Sequence, residues 1–163
     1  MGGSREQIIS RIEKDIVLLE KEQGLAAEEV LEIVKERLHD KKEPLLPLSI
    51  FSNDSLSPLE TITTYLKEQR NYSYRTIAAL LNRNEGPIAV TYRRAREKKK
   101  EQLNTSSSSF VPVSIFRSKT SVLESLVLYL KDDLSMNLTQ IAHVLRRDHT
   151  TVWTVYRRGK NKT

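Results

Sequence analysis

The sequence predicts an all-α protein: an N-terminal helical hairpin followed by two tandem three-helix modules of the helix-turn-helix type. Three observations point there. Apolar residues recur at helical spacing, proline is scarce at five residues with aromatics at 6 %, and residues 57–95 repeat as residues 121–159 without a gap. The boundaries that follow are 1–43 for the hairpin, 44–103 for the first module, 104–110 for a Ser-rich linker and 111–163 for the second module.

Composition narrows the function classes. Of 163 residues, 29 % are charged and 38 % hydrophobic, a folding and water-soluble balance. No apolar run approaches the roughly 18 residues that span a bilayer, so no membrane partner is expected. Met1-Gly2-Gly3-Ser4 leads straight into charged, helix-like sequence, without a signal-peptide pattern. Cysteine is absent, which removes disulfides, thiolate zinc sites and thiol nucleophiles, and fits a cytoplasmic, nucleoid-associated location. His39, His143 and His149 lack metal-ligand spacing, and no paired carboxylates or Ser/His/Asp set stand out. Neither an enzyme nor a cofactor or metal site is expected.

Charge is distributed unevenly. Residues 1–43 carry eight basic and eleven acidic side chains, a net −3. Residues 44–103 carry ten and six, net +4, and residues 104–163 carry nine and four, net +5. Two basic segments suit a polyanion, because phosphate contacts gain from counterion release. A solubilising surface would look the same on charge alone.

The hairpin comes first. Residues 5–23 and 26–39 read as two helices broken at Gly24. Ile9, Ile12, Ile16 and Leu19 follow a 3-4-3 spacing, and Val30, Leu31, Val34 and Leu38 form a second stripe. Two short helices cannot bury both stripes by themselves. The segment is expected either to pack on the first module or to form a homodimer through residues 5–39.

The repeat is next. Pro47-Leu48-Ser49-Ile50-Phe51 recurs as Pro112-Val113-Ser114-Ile115-Phe116; after a one-residue slip the offset is 64. Thirteen of 39 aligned positions are identical, among them Tyr65/Tyr129, Ile77/Ile141, Arg83/Arg147 and the run Tyr92-Arg93-Arg94/Tyr156-Arg157-Arg158; chance gives roughly two. The linker Asn104-Thr105-Ser106-Ser107-Ser108-Ser109 cannot bury apolar surface. It is expected to be a flexible leash of roughly 13 Å between separate domains.

Each module opens on a capping box, Ser57 with Glu60 and Ser121 with Glu124. First helices over about 57–70 and 121–134 carry Leu59, Ile62 and Leu66, or Leu123, Leu126, Val127 and Leu130, on one face. Second helices start near Ser73 and at Asn137, which has Gln140 three residues on. They hold Ile77-Ala78-x-x-Leu81 and Ile141-Ala142-x-x-Leu145. Asn84 and Asp148 then offer N-caps for third helices that bury Ile88 with Tyr92 and Val152 with Tyr156. The other face of these helices holds Arg93, Arg94, Arg96, Lys98, Lys99 and Lys100, or Arg157, Arg158 and Lys160. Three short helices, a tight turn before the last and a cationic last helix make a helix-turn-helix.

Two resemblances sharpen this. Residues 77–99, with Ile77-Ala78-Ala79-Leu80-Leu81, Asn84-Glu85-Gly86-Pro87-Ile88 and Arg93-Arg94-Ala95-Arg96, resemble the promoter-reading region-four helix-turn-helix of bacterial sigma factors. Arg147-Asp148-His149-Thr150-Thr151-Val152 with Tyr156-Arg157 is similar to the DNA-binding domain of the replication initiator DnaA. That second likeness implies base contacts for Arg147, Asp148, His149 and Thr150. No GxxxxGK nucleotide loop accompanies it.

In helix-turn-helix geometry the start of the third helix faces base edges, while the turn and the far end face phosphates. For the second module, His149, Thr150 and Thr154 then approach bases, Arg147 and Arg157 approach phosphate or guanine, Arg158 approaches phosphate, and Thr151 completes the expected DNA-binding set. Trp153 either packs on sugar or a partner or caps the core, the commoner fate of tryptophan. The first module offers Arg83, Asn84, Glu85, Gly86, Ala89, Val90, Arg93 and Arg94, a set poorer in base-reading groups. The arginine pairs also suit a solvated helix end, where cations favour the dipole. Their recurrence in both modules favours phosphate contact. Modules in series suggest tandem half-sites in direct repeat, roughly 34 Å apart. The expected function is therefore sequence-specific double-stranded DNA binding in transcription regulation, with the second module setting specificity. The alternatives are an adaptor that binds RNA polymerase or another transcription protein, and the DNA-recognition subunit of a recombinase or transposase.

Overall fold

Ser and Asn side chains ahead of apolar runs start most of the helices. The computed structural model describes residues 4–41, 43–99 and 101–163; Met1, Gly2, Gly3, Lys42 and Lys100 lie outside the described residues. The chain is mostly helical and divides into two compact units, Met1–Glu43 and Pro44–Thr163.

In the first unit, α1 (Arg5–Gln23) is capped by Ser4 and α2 spans Ala27–Lys41. Gly24 takes the left-handed conformation (φ 65°), and its N–H donates to the Glu20 carbonyl at 3.1 Å, so the break falls where glycine allows it. Glu20 also accepts from the Ala27 N–H at 2.9 Å, closing the turn. Val30 is buried and Ile16 half-buried. Ile8, Ile9, Ile12, Val17, Leu18, Leu19, Leu31, Ile33, Val34 and Leu38 stay exposed. Both stripes thus remain largely open to solvent.

The second unit contains both copies of the repeat. Copy one runs β1 (Leu45–Pro47), a 3-10 turn (Leu48–Ser52), α3 (Pro58–Glu68), α4 (Tyr74–Leu80) and α5 (Glu85–Lys98). Copy two runs β2 (Phe110–Pro112), a 3-10 turn (Val113–Arg117), α6 (Val122–Leu128), α7 (Leu138–Leu145) and α8 (His149–Lys162). A π-helical turn, Tyr129–Asp133, continues α6. Reciprocal capping boxes form at Ser57/Glu60, Ser121/Glu124 and Asn137/Gln140, with backbone-to-side-chain bonds of 2.8–3.3 Å. Asn84 and Asp148 stand at the N-cap positions of α5 and α8, but neither side chain makes the cap bond. The copies share strained backbone as well as residues. Asn71 and Ser135, and Asn82 and Arg146, pair up at the 64-residue offset with φ of 49–55°.

The two copies are one folded body, which corrects the expectation of separate domains on a leash. β1 and β2 pair antiparallel, with Leu46 opposite Val111, Leu45 opposite Pro112 and Pro47 opposite Phe110. The prolines lack the N–H a ladder needs, which limits each strand to three residues. Leu46, Ile50, Phe51, Val111 and Phe116 are buried at the seam, and the Phe51 and Phe116 rings meet at 6.1 Å between centroids. Leu48 N–H donates to the Ser109 carbonyl at 2.9 Å, and Ser49 Oγ–H donates to the Asn104 carbonyl at 2.7 Å. The Ser-rich segment is therefore anchored at both ends. Serine supplies hydrogen bonds rather than apolar area, and its composition conceals such anchoring.

Candidate nucleic-acid interface

The third helix of each copy is set by polar contacts to the first helix that the repeat duplicates. Glu60 and Glu124, both nearly buried, close their capping boxes and also accept from Lys98 Nζ (2.8 Å) and Lys162 Nζ (2.8 Å), the last residues of α5 and α8. Tyr92 Oη–H donates to Glu68 at 3.2 Å, as Tyr156 Oη–H does to Asp132 at 2.9 Å. Glu68 and Asp132 each also take a lysine, from non-equivalent positions: Lys99 pairs with Glu68, and Lys160 with Asp132 at 2.9 Å.

These contacts move the carboxyl pKa values. Burial pushes Glu60 up, but the Lys98 ammonium and the Ser57 N–H together outweigh it and hold the group below the ordinary carboxylate range. Lys162 holds Glu124 low, and Lys160 with Tyr156 does the same for Asp132, each against a smaller opposing push from burial.

The same contacts correct the expected cationic face. Lys98, Lys99 and Lys160 are engaged with the protein's own carboxylates, and Lys100 lies outside the described residues. What remains free is arginine. Arg83, Arg93, Arg94, Arg147, Arg157 and Arg158 have no ion-pair partner among the described residues, and all but the half-buried Arg147 are exposed.

In copy two, Asp148, His149, Thr150 and Thr151 are exposed at the start of α8. Trp153 does not cap the core: it is 44 % exposed, with the Arg157 guanidinium 4.6 Å above its ring. Val152, one residue earlier, takes the core position. Thr154 is half-buried and its hydroxyl donates back to the Thr150 carbonyl at 2.9 Å, leaving only its lone pairs for a base. An open hollow of about 660 Å³ lies at the turn, lined by Ala142, His143, Arg146, Arg147, Asp148 and Thr151. Arg146 and His143 are additions to the expected site. Arg146 is held at φ 49°, a conformation that arginine's side chain does not signal in sequence. His143 is legible only as the position four residues ahead of Arg147, on the exposed side of α7.

Copy one presents the same scaffold with weaker chemistry. Arg83, Asn84, Glu85 and Gly86 are exposed, and Ala89 and Val90 are half-buried. Glu85 sits 3.8 Å from Arg75 across an exposed gap. The positions that line the copy-two hollow are here Ala78, Ala79, Asn82, Arg83, Asn84 and Pro87, so one arginine stands where copy two has Arg146 and Arg147, and alanine where it has His143. Arg93 and Arg94 match Arg157 and Arg158 in place and exposure.

The chain matches no family model, no curated protein and no solved structure. Among the described residues no cluster of His, Asp or Glu is placed to hold a metal ion, and no helix is long and apolar enough to cross a membrane.

Proposed function

We propose that the chain is a sequence-specific double-stranded DNA-binding protein that regulates transcription. Each trihelical half acts as a helix-turn-helix and meets one half-site. One observation carries this reading: the lysines on α5 and α8 pair with the fold's own carboxylates, whereas the repeated arginine pairs Arg93/Arg94 and Arg157/Arg158 stay exposed with no ion-pair partner among the described residues. Arginine is the side chain suited to bidentate phosphate and guanine contacts. Copy two reads bases through Asp148, His149, Thr150, Thr151 and Thr154, with Arg147 and Arg146 on phosphate and Trp153 against sugar. Copy one contributes affinity through Arg83, Arg93 and Arg94, and close approach at Gly86.

Selection of binding sites from random duplex DNA at two salt concentrations tests the reading. An enriched motif whose binding weakens steeply with salt supports it. Weak binding that vanishes in moderate salt and yields no motif favours the adaptor. Glu85 with its Arg75 neighbour, followed by Ala89 and Val90, gives that second reading its footing as a protein-facing surface on copy one.

The hairpin of residues 5–39 is assigned self-association. Ten of its Ile, Leu and Val side chains are exposed, and clustered exposed apolar side chains mark association surfaces. Sedimentation of the full chain without DNA checks this: a dimer is expected, and a monomer at high concentration removes the assignment.

A further inference from the structure

We infer that the DNA site met by each chain is an inverted pair of non-identical half-sites, gripped by its two copies in a single orientation. This rests on the DNA-binding reading above and replaces the direct repeat expected from modules in series. The contacts between the copies are reciprocal. In the seam segments, equivalent residues are 65 apart. Leu46 and Val111 are equivalents and face each other, so the strand pair is centred on a local two-fold axis. Leu48 N–H donates to Ser109 O at 2.9 Å, and the equivalent bond returns from Val113 N–H to Pro44 O at 3.1 Å. The 3-10 turn of copy one packs on α7, and that of copy two packs on α4. Phe51 meets its own equivalent, Phe116. A translation between copies would put surface X on surface Y with no return contact. Here X meets Y and Y meets X, the signature of an isologous, two-fold contact. Two-fold-related third helices read the duplex in opposite directions, as in a symmetric dimer on a palindrome.

The symmetry stops at the residues that would read bases. Glu85, Gly86, Ala89 and Val90 stand where copy two has His149, Thr150, Trp153 and Thr154, and Asn82 stands where copy two has Arg146. The half-sites therefore differ in sequence, and the copy-two half-site is held more tightly. Fusion of the two halves in one chain makes such a site polar, which a homodimer of identical halves cannot do.

The test uses the full chain and the selected motif. Duplexes carrying the two half-sites in inverted or direct order, over a series of spacings, are compared by titration. The best inverted duplex is expected to bind about a hundredfold more tightly than any direct one, because a rigid pair cannot engage both half-sites in the wrong order. Glu97→Cys and Asn161→Cys lie at equivalent exposed positions near the ends of α5 and α8, in a chain without other cysteine. An iron chelate tethered at each is expected to cut beside opposite half-sites. A direct-repeat motif, a lone half-site, or cutting by both probes beside both half-sites overturns the inference while leaving DNA binding intact. Absence of any motif sinks the reading beneath it.

Discussion

Copy one and copy two of the repeat share a framework and diverge in what they present to a partner. Glu60 and Glu124 make the same buried cap and the same bond to a lysine 38 residues on. Tyr92 and Tyr156 reach back to the same position of the first helix. The left-handed turns recur at the same places. Differences fall at the start of the third helix and in the turn before it, where copy two places Arg146, His149, Thr150 and Thr151 and copy one places Asn82, Glu85, Gly86 and Pro87. Divergence at these exposed positions, over a preserved polar framework, suits the proposed reading of two different half-sites. A second difference lies inside. Gly159 crosses Leu128 in copy two, where an added Cβ would come within 2.9 Å of the leucine side chain; the equivalent positions of copy one are Ala95 and Thr64, both fully buried. The larger first-helix residue is matched by the smaller third-helix residue.

The comparison can be broken in four ways. The largest effect is expected from the shared carboxylates. Glu60→Ala and Glu124→Ala should each cost about 2–3 kcal/mol in chemical denaturation, by loss of the cap and of a charged hydrogen bond. Clearly unequal losses would show that the frameworks are not equivalent. Because both carboxyls are held below their ordinary pKa, their contribution is fully present above the ordinary carboxylate range. It is lost as the pH falls through that range and below, so the wild type should lose stability on acidification more steeply than either variant.

Next, Thr64→Leu should destabilise copy one by about 2 kcal/mol through overpacking against Ala95, and adding Ala95→Gly should recover most of it. A double-mutant cycle with no coupling would refute the matched-volume account. Third, Arg157→Ala with Arg158→Ala should weaken DNA binding about tenfold and lower the salt slope by about two, and Arg93→Ala with Arg94→Ala should do the same. A loss of site preference from the copy-one pair alone would reverse the roles given to the copies. The smallest effect concerns Thr63 and Thr64, whose buried hydroxyls have no hydrogen-bond partner among the described residues. Val127 occupies the equivalent of Thr63, so Thr63→Val should stabilise the protein by about 1 kcal/mol in thermal unfolding. A loss of stability would mean that the hydroxyl is satisfied in solution.

Much of this was legible in residue order alone. The hairpin with its turn at Gly24, the two copies, their capping boxes and the buried positions Ile62, Leu66, Ile77, Leu81, Ile88, Ile141, Leu145 and Val152 follow from contacts three or four residues apart. So do the exposed arginine pairs. The side that Trp153 takes is not legible in sequence, because tryptophan usually caps a core, and only the position of Val152 beside it leaves the ring outside. The pairing of the lysines is not legible in sequence, because their partners Glu60, Glu68 and Asp132 lie 28 to 38 residues away on another element.

Residue order thus determined the local structure, since caps, turns and apolar stripes are satisfied within one or two helical turns. The tertiary structure alone decided that the copies form one body about a two-fold seam, which lysines are neutralised, and that Arg146 joins Arg147 at the turn. The physical reason is separation along the chain. Leu46 and Val111 are 65 residues apart in strands too short to show a period, and only a folded core brings their backbones within hydrogen-bonding reach.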